Sequence, residues 1–184
     1  MAANPIHKPV RAATLRLVAF DPGCAHHVVS WVQGKQEQFW LAPRTEPPLT
    51  PDKVAGWADS LRTPWMLVAP GRVEPLAYGE LNVLNAYRRE YWLGHLIVDP
   101  RERGAGAGRQ LTRRLIDRAF RSQRARSVSL VVFPDNVAAV NCYRSAGMRE
   151  DGYEYHEFPV YSRRERLSRF IVDTRDYEWF HERR

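Results

Sequence analysis

The sequence predicts a mixed α/β (α+β) fold in which about six to seven strands, mostly antiparallel, form one sheet flanked by about four helices. Three observations predict it. The chain has 184 residues, the length of one domain, so we expect a single domain over residues 1–184. Hydrophobic residues make up 44% and charged residues 27%, which is typical of globular proteins and excludes disordered or fibrous chains. Strand-like and helix-like patterns also alternate along the chain.

The first third of the chain predicts one strand and two helices. An alternating pattern predicts the strand over Thr14–Phe20. A helix should begin at Asp21-Pro22, an N-cap followed by proline, and end near Gly34. Thr50-Pro51 repeats that start signal before apolar residues at helical spacing, which predicts a second amphipathic helix. We interpret Gln36–Leu49, between these helices, as a loop with a short apolar centre.

Three strand-like runs follow in the middle of the chain, at Trp65–Ala69, Leu76–Leu84 and Tyr91–Val98. Turn-forming residues separate them at Pro70-Gly71 and Asn85–Glu90. Parallel neighbours need long crossovers, so these short connections predict an antiparallel meander.

The second half alternates between helix and strand. The predicted order is helix, strand, helix and strand, over Ala105–Ser122, Val128–Phe133, Val137–Ala146 and Met148–Phe158. In the C-terminal tail, Arg169–Thr174 could form a last strand.

Several classes of protein are excluded or disfavoured. No run approaches the roughly 18 apolar residues of a membrane span, and the N-terminal segment lacks the apolar core of a secretory signal. Cys24 and Cys142 are too few for a disulfide scaffold, so we expect a cytoplasmic protein with no membrane partner. His26 and His27 are adjacent, but no carboxylate or cysteine pattern completes a site, so we expect no metal.

The net charge of +7 is the unusual feature of the composition. Residues 101–126 contain nine arginines and two acidic residues, so this window alone carries the whole excess. A concentrated positive charge suggests an anionic partner, which could be a nucleic acid, an acidic membrane surface or a phosphorylated small molecule.

A glycine-rich turn, residues 103–109, opens this window before the long helix. Such a turn either simply connects two elements or presents backbone N–H groups to a phosphate. It has no lysine, which excludes a P-loop, and neither register of its glycines gives Gly-x-Gly-x-x-Gly. The pattern that fits is Arg103-x-x-Gly106-x-Gly108, preceded by a strand end at Leu96–Val98.

A second pattern follows one helix and one strand later, as Asn136-x-x-Ala139-x-x-x-Tyr143-x-x-x-Gly147-Met148. Together the two patterns resemble the GCN5-related N-acetyltransferases (GNAT), which move an acetyl group from acetyl-coenzyme A to an amine. The resemblance covers about Leu76 to Met148. It implies the GNAT fold, acetyl-CoA as co-substrate, and direct transfer to a primary amine within a ternary complex.

The resemblance also implies roles for individual residues. Leu96, Ile97 and Val98 would bind the pantetheine arm, and one of their backbone N–H groups would polarise the thioester carbonyl. Asn136 would contact the pantetheine or position its helix. The pyrophosphate would be held by the turn itself, namely Arg103, Gly104, Ala105, Gly106, Ala107, Gly108 and Arg109.

Tyr143 is the candidate general acid. Attack of an amine on a thioester releases a thiolate of pKa near 8.5, and a phenol of pKa near 10 can supply its proton. The alternative is an aromatic residue of the core. Cys142 lies next to it, but direct transfer needs no acyl-cysteine.

The general base is less clear from the sequence. Some members of the family carry a glutamate five residues before the asparagine of the second motif, where this chain has Val131. Glu80 is the substitute we select, for catalysis or acceptor binding, because it should lie on a strand beside the acceptor cleft. The alternatives are a solvated residue or an ion pair for Glu80, His95 as the base, or a water chain that relays the proton.

Two other functions compete with catalysis. A non-catalytic acyl-CoA sensor would keep the fold, and Tyr143 argues against it. A nucleic-acid binder is disfavoured because no known recognition motif accompanies the arginines. The acceptor half, about residues 1–60, has balanced charge and no motif, which leaves small molecules and peptides open as acceptors. The aromatic tail, Tyr177, Trp179 and Phe180, could close the core or pack in a homodimer.

Overall fold

A seven-stranded sheet forms the centre of the structure, a computed structural model in which residues 15–182 are described. The strands are β1 Arg16–Ala19, β2 Arg62–Val68, β3 Ala77–Asn85, β4 Glu90–Val98, β5 Ser127–Val132, β6 Arg149–Phe158 and β7 Arg163–Asp173. Their spatial order is β1-β2-β3-β4-β5-β7-β6, and every neighbouring pair is antiparallel except β4 and β5. The mixed, mostly antiparallel sheet and the central meander are therefore confirmed.

Six α-helices accompany the sheet within residues 15–182, against about four expected. They are α1 Ala25–Trp31, α2 Lys35–Leu41, α3 Pro51–Ala55, α4 Ala107–Gln123, α5 Val137–Ala146 and α6 Thr174–Glu182. Both predicted start signals are present. The side chain of Asp21 accepts from the backbone N–H of Gly23 to cap a short 3-10 turn before α1, and Thr50 accepts from the N–H of Lys53 at the start of α3.

The loop expected at Gln36–Leu49 is wrong in its first half, which forms α2. Phe39 explains the difference, because its ring packs against Phe133 and Phe158 at centroid distances of 4.8 and 5.6 Å. Those partners lie about a hundred residues further along the chain, so no local pattern could reveal them.

The C-terminal region also differs from expectation. β7 begins at Arg163 instead of Arg169, because it pairs along the whole length of β6. The unexpected helix α6 follows, and the ring of Tyr177 stacks on Phe120 of α4 at 4.4 Å. At the other end, Thr14 of the first predicted strand lies outside the described residues.

Helices cover both faces of the sheet. On one face α4 packs against β3, and a Cβ added at Gly79 would lie 3.2 Å from carbon atoms of both Leu111 and Leu115. Successive strand residues point to opposite faces. Tyr78 therefore faces the other side, where it packs in a buried cluster with Val28 of α1 and Val54 of α3.

The sheet opens between β4 and β5. Their register partners are limited to Glu90–Trp92 and Ser127–Ser129, at one end of both strands. Beyond that point β4 continues to pair with β3, and β5 with β7, but the two strands no longer pair with each other. Backbone groups along this edge of β4 are thus free of ladder bonds and can bind a ligand.

Candidate active site

A cleft of about 780 Å³ continues from this opening to the N-terminus of α4. The structure brings into it the cofactor-binding candidates of β4, of the glycine-rich turn and of α5. The lining residues that the sequence singled out are Leu96, Ile97, Val98, Arg103, Gly104, Ala105, Gly106, Ala107, Gly108, Arg109, Asn136 and Tyr143. Sequence reasoning missed Glu37, Trp40 and Leu41, which α2 contributes to the same cleft. The only signal was the apolar centre assigned to the loop.

The glycine-rich turn has a backbone shape that side chains would oppose. Gly104 and Gly106 have φ angles of +77° and +88°, in the left-handed region. A Cβ at Gly108 would lie 3.1 Å from Cys142 Sγ and 3.3 Å from Val98 Cγ2. No side chain caps α4, so the N–H groups of its first turn are available to an anion.

Arg103 makes bonds within the protein that its predicted phosphate role did not anticipate. Its guanidinium donates to the carbonyl oxygens of Val98 at 3.1 Å and Trp31 at 3.0 Å, and to Glu37 Oε1 at 2.6 Å. The side chain therefore ties the turn to β4, α1 and α2. Arg109 also lines the cleft, and its guanidinium lies 3.9 Å from the position that a Cβ at Gly106 would take.

Other arginines of the basic window contact the protein itself. Arg101 pairs with Asp99 at 2.7 Å and with Glu74 at 2.9 Å. Arg118 lies over the ring of Trp65 at 3.7 Å. The excess charge is therefore not a continuous free surface, which weakens the nucleic-acid interpretation.

Tyr143 points its ring into the core and is 8% exposed, yet it lines the cleft. Burial raises the pKa of its phenol, so the proton is retained at neutral pH. No hydrogen bond from its hydroxyl to the described part of the chain is found. Asn136 caps the same helix, where its Oδ1 accepts from the N–H of Ala139 at 3.2 Å. Burial also raises the pKa of the neighbouring Cys142 thiol.

Glu80, the other catalytic candidate, does not line this cleft. It is fully buried, which rules out the solvated alternative. Its Oε1 accepts from the Tyr78 hydroxyl at 2.9 Å and bonds to His95 Nδ1 at 2.8 Å, while Oε2 accepts from Asn82 Nδ2 at 2.9 Å. Glu80 therefore contacts the second candidate base, His95, and not the space of the cleft.

Comparison with known proteins decides the family. The model of the acetyltransferase (GNAT) family matches residues 19–148, well over half of the chain. The chain belongs to the GNAT family. The matched region holds both motifs and the strands that part to form the cleft. No curated protein sequence matches the chain.

Solved GNAT structures share the fold. The spermidine N-acetyltransferase of Vibrio cholerae, in complex with CoA and spermine, has a TM-score of 0.74 at 20% identity, covering 90% of this chain and 98% of that chain. The aminoglycoside acetyltransferase AAC(6')-Ib, in complex with coenzyme A and kanamycin, has a TM-score of 0.69 at 18% identity, covering 90% and 98%. At these identities the likeness concerns the fold alone.

Among the side chains that the structure describes, residues 15–179, no group of three or more histidine, cysteine, aspartate or glutamate residues could hold a metal ion. No helix in the same range has the length and apolar character needed to cross a membrane.

Proposed function

We propose that this GNAT domain, over residues 1–184, is an N-acetyltransferase that moves an acetyl group from acetyl-CoA to a primary amine by direct attack in a ternary complex. One observation carries the proposal. The gap between β4 and β5 runs without interruption into the glycine-rich turn, so backbone donors and a helix N-terminus line one cleft. A long ligand with a phosphate at one end fits such a cleft.

Residues at different positions along the cleft bind different parts of acetyl-CoA. The turn and the start of α4 bind the pyrophosphate, and the unpaired edge of β4 at Leu96–Val98 binds the pantetheine arm. One N–H of that edge polarises the thioester carbonyl, where negative charge develops as the amine attacks. Tyr143 then donates its proton to the departing thiolate. Cys142 takes no covalent part, because its buried thiol keeps its proton.

The acceptor is a small-molecule or peptide amine. Solved relatives of the same fold bind spermine or kanamycin, which are both amines, and this supports the class without choosing a member. On this chain α2 borders the cleft with Glu37, Trp40 and Leu41. The buried indole N–H of Trp40 has no hydrogen-bond partner among the described residues, so a ligand acceptor could satisfy it. Free thiols at Cys24 and Cys142 support a cytoplasmic setting.

The test is a panel of amines assayed with acetyl-CoA by the release of free thiol. Polyamines, aminoglycosides, amino acids and peptides with free N-termini represent the open classes, and the Tyr143→Phe protein is the control. We expect turnover of at least one class by the wild-type protein. Tight CoA binding with no turnover of any amine would contradict the proposal and favour an acyl-CoA sensor.

A further inference from the structure

Three polar side chains of β3 lie together on the face of the sheet that α1 and α3 cover. They are Tyr78, Glu80 and Asn82, and all three are completely buried. Removing a carboxylate from water is unfavourable unless hydrogen bonds compensate for the lost hydration. The steps of acetyl transfer described above give this cluster no task.

A distortion of β4 brings His95 to the cluster. Its φ angle is +46°, in the left-handed region, and the register between β3 and β4 shifts at this point. Gly94 fits tightly there, since a Cβ would lie 2.9 Å from Asn82 Nδ2 and 3.0 Å from Glu80 Oε2. Such irregularities re-aim side chains and concentrate at functional sites. Trp57 stacks on the His95 ring at 3.9 Å and fixes its plane.

The hydrogen bonds determine which nitrogen of His95 carries the proton. Burial alone would raise the pKa of Glu80, but the bonds from His95, Asn82 and Tyr78 outweigh it and hold the pKa below its usual value. An ionised carboxylate only accepts, so Nδ1 of His95 must donate. In the neutral ring Nε2 then carries a free lone pair, and no described group of the protein bonds to it.

His95 lies at a position from which its ring could contact the acceptor amine. His95 is not one of the residues that line the cleft, but it directly precedes Leu96, which is, and it lies beyond Trp92, the last residue of β4 that pairs with β5. Its side chain is 17% exposed, so it can reach a ligand, whereas Glu80 at 0% cannot. The charged or titratable groups facing it are Glu80 and Tyr78 of β3. Arg62 of the neighbouring strand β2 is paired with Asp59.

We propose that His95 is the general base for the acceptor amine and that Glu80 is the positioning residue that orients it. Nε2 takes a proton from the acceptor ammonium, and the freed electron pair on nitrogen attacks the thioester carbonyl carbon. The C–S bond breaks, the thiolate takes the proton of Tyr143, and the acylated nitrogen returns a proton to the Tyr143 oxygen. His95 then releases its proton to solvent. This step rests on the proposed function.

His95→Asn is the main test, because asparagine tolerates a left-handed backbone and can donate to Glu80 but cannot take up the proton. We expect kcat/KM for the amine to fall about 100-fold or more, with the Kd of acetyl-CoA unchanged. The loss should shrink for amines of low pKa, which are already deprotonated. Glu80→Gln should alter the shape of the pH–rate profile while the Kd of acetyl-CoA again stays constant.

Two further variants keep the test decisive. His95→Gly suits the positive φ, so added imidazole should restore part of its activity if the lost group was a base. His156→Asn is the matched control, because His156 also pairs with a glutamate, Glu154, at 2.9 Å but lies on β6, which β5 and β7 separate from β4. Its kinetics should not change.

The outcomes separate the two proposals. If the wild-type protein acetylates an amine and His95→Asn keeps its rate and pH profile, the assignment of His95 is overturned and acetyl transfer stands. If added imidazole restores no activity to a folded His95→Gly protein, the assignment of His95 as the general base is likewise overturned. If the wild-type protein acetylates no amine, the proposed function fails and the assignment of His95 fails with it.

Discussion

Arg103 and Glu37 join the glycine-rich turn to α2 through an ion pair with 2.6 Å between Nη1 and Oε1. The two residues are 66 positions apart in the chain, and both line the cleft. The pair holds α2 against the turn, beside the edge of β4. The ion pair therefore holds the turn in place before a ligand binds, which lowers the conformational entropy that the turn loses on binding.

The ion pair between Arg103 and Glu37 predicts an effect on acetyl-CoA binding. Arg103→Ala removes the bonds to Val98, Trp31 and Glu37, so we expect the Kd of acetyl-CoA to rise about tenfold or more. Glu37→Gln keeps the shape of the side chain and removes its charge, so it should raise the Kd of acetyl-CoA less than Arg103→Ala does. A double-mutant cycle, read by calorimetric titration, should give a coupling of about 0.5–1 kcal/mol. Additive effects would mean that the pair does not support binding.

The turn itself predicts a conformational requirement at Gly106. Its φ of +88° costs an alanine about 1–2 kcal/mol, so Gly106→Ala should lower the free energy of unfolding and weaken acetyl-CoA binding together. Gly71→Ala is the matched control, because Gly71 has φ +74° and does not line the cleft. It should lose similar stability in urea unfolding and keep its affinity. Equal losses of affinity would contradict a local role of the turn.

Tyr143→Phe tests the general acid with little disturbance of packing. We expect kcat to fall at least tenfold, because the thiolate loses its proton donor, while acetyl-CoA binds as before. Tyr155→Phe, at a 58% exposed position on β6, should have no effect. Steady-state kinetics and titration with CoA measure both quantities. An unchanged kcat would remove Tyr143 from the mechanism.

Cys142→Ser separates direct transfer from a route through an acyl-enzyme. Direct attack needs no nucleophilic thiol, so kcat should stay within about threefold of the wild-type value. Mass spectrometry of the wild-type protein mixed with acetyl-CoA alone should detect no acetylated Cys142. A stable acetyl adduct at this residue, lost together with activity in the variant, would overturn the ternary-complex mechanism.

Asp99 predicts a pH dependence of stability. Burial alone would raise its pKa, but the side-chain and backbone bonds of Arg101 outweigh this and lower it. A lowered pKa gives stability that is complete above the pKa of the unfolded carboxyl, near 3.9, and is lost as pH falls through the folded value. Asp99→Asn should therefore destabilise the protein at pH 7, and its difference from wild type should shrink toward pH 3. Urea unfolding at several pH values measures it.

Local patterns predicted most of the fold. The strands of the meander, and the two helices that carry the motifs, follow from alternation, helical spacing and turn residues, which act over a few neighbouring positions. Helix α5 has the predicted bounds, Val137–Ala146, because Asn136 caps one end and Gly147 ends the other. Helix α2 was missed because Phe39 depends on Phe133, which directly follows β5, and on Phe158 of β6.

The sequence by itself determined the donor end of the site, since a glycine-rich turn before a helix N-terminus is a local arrangement that two short motifs specify. Only the tertiary structure decided how the remaining groups meet. Burial and strand register bring Glu80 against His95, and packing turns Arg103 toward Glu37. These contacts join residues that are 15 and 66 positions apart. Their geometry depends on the packing of the whole sheet, which no local pattern encodes.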